Sequence, residues 1–282
     1  MGNESLQKFG VIGYPLTHSL SPHIHNFVFK KLHIHAVYEK IEIDPNQFAG
    51  SIEHIKNAGY SGLNITIPYK LKIMAFLDEI DNDAKIIGAV NTIKKKEKIW
   101  IGYNTDVHGF LSPIIDFKER IVHCLVLGTG GASRAVIYTL AKYLEPKSIT
   151  IAGRNPQKTV NLKAEFRAIF NLIQIKDHSF TELGSILPEF NLIVNTTPLG
   201  TFPDVNRTPI PQLTFLPEHT IVYDLVYNPV ESKFLKDVAV AGKNIIRING
   251  MEMLIQQAAA AFTLWTGLKM PVNDVREYLL KV

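Results

Sequence analysis

The residues most able to do chemistry fall into two groups. The first is the run Leu125-Val126-Leu127-Gly128-Thr129-Gly130-Gly131-Ala132-Ser133-Arg134-Ala135, in which an apolar strand-like stretch, a glycine-rich turn and a helix start follow one another. Glycines permit a tight turn and let backbone N–H groups approach a pyrophosphate, and the N-terminus of the next helix adds a favourable dipole. The run departs from G-x-G-x-x-G at the third glycine, where Ser133 stands. In NAD-binding sheets an Asp or Glu about 20 residues further on reads the ribose. Here Thr150-Ile151-Ala152-Gly153-Arg154-Asn155 offers no acid; Arg154 stands at the strand end, with Lys158 close behind. A guanidinium pairs well with a phosphate, so the sequence predicts NADP(H) over NAD.

The second group consists of polar clusters placed where strands or loops end, each hard to explain by folding alone. They are His18-Ser19-Leu20-Ser21-Pro22, Asn64-Ile65-Thr66-Ile67-Pro68-Tyr69-Lys70, Gly88-Ala89-Val90-Asn91-Thr92 and Asn104-Thr105-Asp106, then Tyr223-Asp224-Leu225-Val226-Tyr227-Asn228-Pro229 and Gln256-Gln257-Ala258-Ala259.

These groups need elements to position them. In the first hundred residues strand and helix signals alternate. Phe9–Gly13 reads as a strand, and Ser21-Pro22 as an N-cap followed by proline at the first helical position, with Ile24, Phe27, Val28 and Leu32 at helical spacing. Ala36–Ile43 reads as a second strand and Phe48–Ala58 as a helix ending at Gly59. In Gly62–Ile67 the alternation puts Leu63, Ile65 and Ile67 on one face and Asn64 and Thr66 on the other, until Pro68 ends the strand. Thr92-Ile93 and Ile99-Trp100-Ile101 flank Lys94-Lys95-Lys96-Glu97-Lys98 and read as a hairpin with a solvated turn. A second series of strands, Val122–Leu127, Ser148–Ala152, Leu192–Asn195 and Ile221–Leu225, alternates with helical stretches, which predicts a parallel, doubly wound sheet. From Gly250 the chain reads as a helix with Met251, Leu254, Ile255, Ala258, Phe262 and Trp265 on one face, stopping at Gly267.

Bulk properties bound the function. With 282 residues, 46% hydrophobic and 20% charged, the chain has material for two modest cores. The expected class is α/β. The first domain spans residues 1–106 and is completed by helices from 250–282; the second, 107–249, is Rossmann-like. No apolar run reaches the roughly 18 residues that span a bilayer, and Met1 to Lys8 is polar, without the apolar stretch of a signal peptide; a cytoplasmic location is the default expectation. The net charge of +4 is spread along the chain, which gives no nucleic-acid footprint. The single cysteine, Cys124, reads as a buried core thiol. His23/His25 and His33/His35 are spaced i,i+2 without an evident third ligand, so no metal site is expected.

Taken together and in order from residue 10 to 267, the polar clusters, the glycine turn, Asn195-Thr196-Thr197-Pro198-Leu199-Gly200 and Phe262-Thr263-Leu264-Trp265-Thr266-Gly267 closely resemble the shikimate dehydrogenase family. The resemblance implies NADPH-dependent, reversible reduction of 3-dehydroshikimate to shikimate, in aromatic amino acid biosynthesis, by a monomer or homodimer whose partners are small molecules and neither nucleic acid nor membrane. By that likeness Ser19 and Ser21 match the serines that hold the substrate carboxylate, assisted by Tyr227. Thr66, Asn91, Asp106 and Gln257 match residues that hydrogen-bond the ring hydroxyls, and Lys70 matches the catalytic lysine, paired with Asp106. The NADP-contacting positions correspond to Gly128, Thr129, Gly130, Gly131 and Ala132, to Gly153, Arg154, Asn155 and Lys158, and to Thr196, Leu225 and Gly250. Val107, His108 and Glu252 stand where the family has other residues. The chemistry is coherent: a lysine ammonium can donate a proton to a nascent alkoxide, and short Ser, Thr, Asn and Gln side chains both donate and accept towards a hydroxylated ring. Within the same family, a quinate/shikimate dehydrogenase using NAD is the rival; a catalytically silent NADP-binding homologue is the rival from another class.

Overall fold

The computed structural model describes residues 5–180, 183–213 and 215–282; of the polar opening run, residues 1–4 lie outside them. In chain order the elements begin with β1 (Gln7–Gly13), α1 (Ser21–Lys31), β2 (Ala36–Glu42), α2 (Phe48–Asn57), β3 (Tyr60–Ile65), β4 (Glu79–Ile80), α3 (Asn82–Ile87), β5 (Thr92–Lys96), β6 (Ile99–Tyr103) and α4 (Asp106–Leu111). There follow β7 (His123–Leu127), α5 (Gly131–Thr139), β8 (Ser148–Gly153), α6 (Pro156–Ile169), β9 (Gln174–Ser179), α7 (Leu183–Ile186), β10 (Leu192–Asn195), β11 (Ile221–Asp224), α8 (Lys233–Ala241) and β12 (Ile246–Ile248), then α9 (Met251–Thr266) and α10 (Val272–Leu279). The chain forms two compact units: Met1–Gly109 with Ile255–Val282, and Phe110–Leu254.

The first unit is built on a mixed sheet in the order β2-β1-β3-β5-β6-β4. β1 pairs in parallel with both β2 and β3, while β5 runs antiparallel to β3 and β6. Phe9, Val11 and Ile12 of β1 are all buried, as expected of a central parallel strand covered on both faces. The β5–β6 hairpin turns at Glu97-Lys98, with Glu97 at φ 56°, so the lysine-rich run is a solvated turn. α9 packs Ile255, Ala258, Ala261 and Phe262 into this unit, and the Trp265 indole N–H donates to the Ile93 carbonyl at 2.9 Å.

The second unit holds a six-stranded, wholly parallel sheet in the order β12-β11-β10-β7-β8-β9. Counted within the sheet this is 3-2-1-4-5-6, the doubly wound Rossmann order, which reverses beside β7. The predicted α/β class and the Rossmann-like sheet both stand.

Several local expectations need correction. Ser21 is not the N-cap of α1: Leu20 occupies that position, no side chain caps the helix, and Ser21 is its first residue. β3 stops at Ile65, so Ile67 is 56% exposed and does not share a core face with Leu63 and Ile65. Asn64 is buried, because β3 lies inside the sheet and both its faces are covered. β4, β9 and β12 had no clear signal. β9 is a polar edge strand with one buried apolar side chain, Ile175, while β4 and β12 are two and three residues long.

Between α1, β2 and α9 lies an aromatic cluster. His25 stacks on Tyr38 with ring centroids 4.4 Å apart and 9° between planes, and Trp265 lies 5.2 Å away. Neither His25 ring nitrogen has a hydrogen-bond partner, and burial pulls its pKa down from 6.5 to about 3. As pH falls below 6.5 the unfolded chain takes up a proton that the folded chain refuses, so stability present above 6.5 is lost progressively towards pH 3. Replacing His25 by Phe is expected to flatten this loss, by about 3 kcal/mol at pH 4. Urea denaturation of both proteins between pH 7 and 4 measures it.

Candidate active site

The turn after β3 is pinned at both ends. The Thr66 N–H donates to the Ile12 carbonyl at 2.9 Å, and the Tyr69 N–H returns to the Thr66 carbonyl. Tyr69 is buried, stacks on Phe48 with centroids 4.1 Å apart, and donates its hydroxyl to the Ile43 carbonyl. Lys70, next in the chain, accepts from the Val90 N–H at 2.8 Å through its carbonyl. It is therefore fixed in a turn and is not a solvated helix lysine. Its Nζ lies 2.6 Å from Asp106 Oδ2, with side chains 15% and 5% exposed.

Asp106 opens α4, where its N–H donates to Asn104 Oδ1 at 3.1 Å, and Asn104 Nδ2 donates to the Ala89 carbonyl. Its second oxygen accepts from Asn91 Nδ2 at 2.8 Å. Asn91 is itself held: Nδ2 also donates to Thr105 Oγ1, and Oδ1 accepts from the Thr105 N–H at 2.7 Å and from the Thr92 hydroxyl. A buried charge needs both an opposite charge and hydrogen bonds, and this carboxylate has them.

Of the other sequence-predicted residues, Ser19 and Ser21 lie just before and at the start of α1, half-buried and buried respectively. Thr66 is half-buried and Gln257 is half-buried on α9. Lys70, Asn91 and Asp106 touch directly, and Tyr38, which the sequence did not single out, joins them through Asn64 and Thr92. No pattern in a single sequence marks Tyr38, which reads there as an ordinary strand aromatic.

In the second unit the glycine turn sits at the carboxyl end of β7, at the switch in strand order. Gly128 has φ 124°, its N–H donates to the Ala152 carbonyl, and a Cβ there would lie 2.4 Å from Thr196 Oγ1. Thr196 donates to the Leu127 carbonyl at 2.7 Å and meets Ser133 Oγ at 2.6 Å, while the Gly130 N–H donates to Ser133 Oγ at 3.2 Å. Ser133, the departure from the third glycine, thus ties the turn to the loop after β10. No side chain caps α5, and a Cβ on Gly130 would meet nothing within 4 Å. Open space over uncapped first-turn N–H groups, from Gly131 and Ala132 onward, fits a pyrophosphate. Thr129 packs against Gly153 at the end of β8. Arg154, Asn155 and Lys158 are exposed, and Asn155 Oδ1 accepts from the Lys158 N–H as the N-cap of α6. Gly250 lies so close to the Leu225 carbonyl that a Cβ would come within 2.1 Å of it. Tyr227 is half-buried on the loop that follows.

Beneath that loop, Asp224 accepts from Asn195 Nδ2 at 2.8 Å, from the Val226 N–H at 3.1 Å and from the Ser232 hydroxyl. Burial raises its pKa from 3.8 to about 6, against the lowering effect of those bonds. Among the described residues no group of three or more His, Cys, Asp or Glu is placed to hold a metal, and no helix is long and apolar enough to cross a membrane.

Fold and sites define a class: α/β proteins of two units, one carrying a part-buried lysine–carboxylate pair, the other a Rossmann sheet with an open glycine turn. Family models narrow this further. "Shikimate dehydrogenase substrate binding domain" matches residues 11–93 and "Shikimate 5'-dehydrogenase C-terminal domain" residues 250–280. The shikimate dehydrogenase (NADP(+)) of Carboxydothermus hydrogenoformans is 40% identical over 276 residues, covering 95% of this chain and 94% of the relative. The shikimate 5-dehydrogenase of Thermus thermophilus, solved with NADP(H) and shikimate, superposes with TM-score 0.83 at 32% identity, over 98% of this chain and 99% of that one. The quinate dehydrogenase of Corynebacterium glutamicum, solved with NAD, superposes with TM-score 0.87 at 26% identity, over 98% and 99%. The chain belongs to the shikimate dehydrogenase family, as the resemblance implied.

Asp224 has a consequence for stability. Folded, it keeps its proton up to about pH 6, whereas the unfolded chain releases it near 3.8. The stabilisation is therefore full below 3.8 and lost as pH rises to 6. Asp224→Asn keeps the Oδ1 acceptor, and the Ser232 hydroxyl can turn to accept from the new amide. The variant should lack this fall, worth about 3 kcal/mol, when denaturation midpoints at pH 4 and 7 are compared.

Proposed function

We propose that this chain catalyses the NADP(H)-dependent, reversible reduction of 3-dehydroshikimate to shikimate, a step of aromatic amino acid biosynthesis. The observation that carries the reading is the part-buried Lys70–Asp106 pair, cross-braced by Asn91. NADPH, bound at the glycine turn, supplies the hydride. Lys70 donates a proton to the alkoxide that forms on the substrate and, in the oxidative direction, takes it back. Asp106 holds the amine in place and offers an acceptor to a ring hydroxyl, and Asn91 keeps that carboxylate oriented. Ser19 and Ser21 hold the carboxylate of the substrate by donating hydroxyl protons, and Thr66 and Gln257 satisfy its hydroxyls. A site of this kind discriminates against analogues that lack a hydroxyl, because its own polar groups would be left unpaired.

The cofactor preference rests on the end of β8. Arg154 and Lys158 are exposed there and no acid stands among residues 150–155, which suits a 2′-phosphate and removes the usual ribose-reading carboxylate. A second reading, quinate oxidation with NAD, has the close overlay on the Corynebacterium enzyme in its favour. The basic end of β8 and the paired serines speak against it.

Absorbance at 340 nm, with shikimate and quinate each tested with NADP and NAD, decides between them; turnover only with quinate and NAD would overturn the first reading. In the same assay Lys70→Ala is expected to lower kcat by about 10²-fold or more with a much smaller change in KM. A loss confined to KM would make Lys70 a holder of substrate and not the proton donor. Arg154→Asp is expected to weaken NADPH far more than NADH, by about tenfold or more in the ratio of KM values; an unchanged ratio would remove the cofactor argument.

A further inference from the structure

Ser19 and Ser21 stand on one segment, the loop after β1 and the first turn of α1, and β2 holds that segment at three points. The Asn26 side chain of α1 spans the backbone of Tyr38, Oδ1 accepting from its N–H at 2.8 Å and Nδ2 donating to its carbonyl at 2.9 Å. Two residues further along β2, Lys40 Nζ donates to the Thr17 carbonyl at 2.8 Å. Two further still, Glu42 Oε2 accepts from the Leu16 N–H at 2.6 Å. Lys40 and Glu42 leave the strand on the same side, as residues two apart must.

Both of these side chains act on one tight turn. The Ser19 N–H donates to the Leu16 carbonyl at 3.1 Å, which closes a β-turn over Leu16, Thr17, His18 and Ser19. Glu42 grips the residue that opens the turn by its N–H, and the carbonyl of that same residue receives Ser19. Leu16 is also seated by its side chain, which is buried; its Cδ2 would lie 2.7 Å from a Cβ on Gly13. Lys40 grips the peptide between the two central residues, Thr17 and His18. A flip of that peptide is what separates turn types I and II, and an ammonium against its carbonyl removes the choice. Thr17 and His18 are exposed, so little apolar packing holds the middle of the turn.

We propose that Lys40 and Glu42 are positioning residues, which fix the turn that presents the Ser19 hydroxyl to the carboxylate of the substrate. This rests on the reading of Ser19 as a carboxylate holder. It also predicts which kinetic constant responds. The Lys70–Asp106 pair is braced by separate bonds from Asn91 and Asn104. Loss of either grip should therefore be felt in substrate binding and little in proton transfer. The sign separates positioning from simple charge. Removing a carboxylate near an anionic ligand should tighten binding by charge alone, whereas removing a grip on the turn should loosen it.

The test compares Glu42→Leu, Glu42→Gln, Lys40→Met, Ser19→Ala and the double variant Ser19→Ala/Glu42→Leu, by steady-state kinetics with shikimate and NADP and by thermal melting. Glu42→Leu and Lys40→Met are each expected to raise KM for shikimate about fivefold, with kcat within about twofold and KM for NADP unchanged. Glu42→Gln keeps an oxygen for the Leu16 N–H and should restore KM to within about twofold of the parent. The double variant should be no worse than Ser19→Ala alone, because Glu42 acts through Ser19. If Ser19→Ala raises KM while Glu42→Leu lowers it or leaves it unchanged, or if the two effects add, the role given to the pair is wrong and the reading of Ser19 survives. If Ser19→Ala itself leaves KM unchanged, the carboxylate reading of Ser19 fails and the role of the pair with it. Should Glu42→Leu melt too low to assay, Lys40→Met, alone and with Ser19→Ala, carries the same comparison.

Discussion

A carboxylate almost out of contact with water is the constraint around which the first unit is arranged. Asp106 could not remain charged at its depth without a cation against one oxygen and an amide proton against the other. Each of those partners has to be held in turn. Lys70 is delivered by a turn locked through Tyr69, and Asn91 by the Thr92 and Thr105 bonds, while Asn104 orients the start of α4. β3, the β5–β6 hairpin and α4 are separate in sequence, yet all end within reach of one another because this cluster of short polar side chains needs them there. A truncation that removed one partner would leave the others buried and unsatisfied, so the cluster constrains the fold as well as the chemistry.

The second unit solves a different problem with similar means. The backbone turn at the reversal of strand order stays open: no side chain fills the space over Gly130. The turn is braced from below, by Ser133 and Thr196. Asp224 organises the neighbouring strand ends from one buried carboxylate, at the cost of resisting ionisation. Here too the polar side chains are spent on backbone and on each other, which leaves the first main-chain N–H groups of α5 without a side-chain cap.

The legible parts of the sequence were those written in periodicity and punctuation. The central strands, the glycine turn, the hairpin at Glu97-Lys98 and the helix ending at Gly267 all carry local signals, and Lys70 with Asp106 emerged because clusters matched a family in order. Less visible were features that depend on tertiary placement. Ser21-Pro22 has the composition of a cap, but the helix starts one residue earlier, with Leu20 in the N-cap position. Ile67 continues an alternation that the backbone abandons at Ile65. β4, β9 and β12 are short or polar and stand at sheet edges, where one pairing partner suffices and apolar patterning fades. Asn64 and Tyr38 are far apart in sequence, and nothing local says that their polar ends meet.

The Asn26 amide across the backbone of Tyr38 bears on more than the seating of α1. β2 lies at the rim of its sheet, and a rim normally offers unpaired main-chain donors and acceptors to any extended peptide that drifts against it. At Tyr38 both are already taken, by a side chain whose amide imitates one peptide unit of a missing neighbour. The rung is closed to strand addition, and the residue that steadies the interior of this unit also makes its border a poor template for self-association.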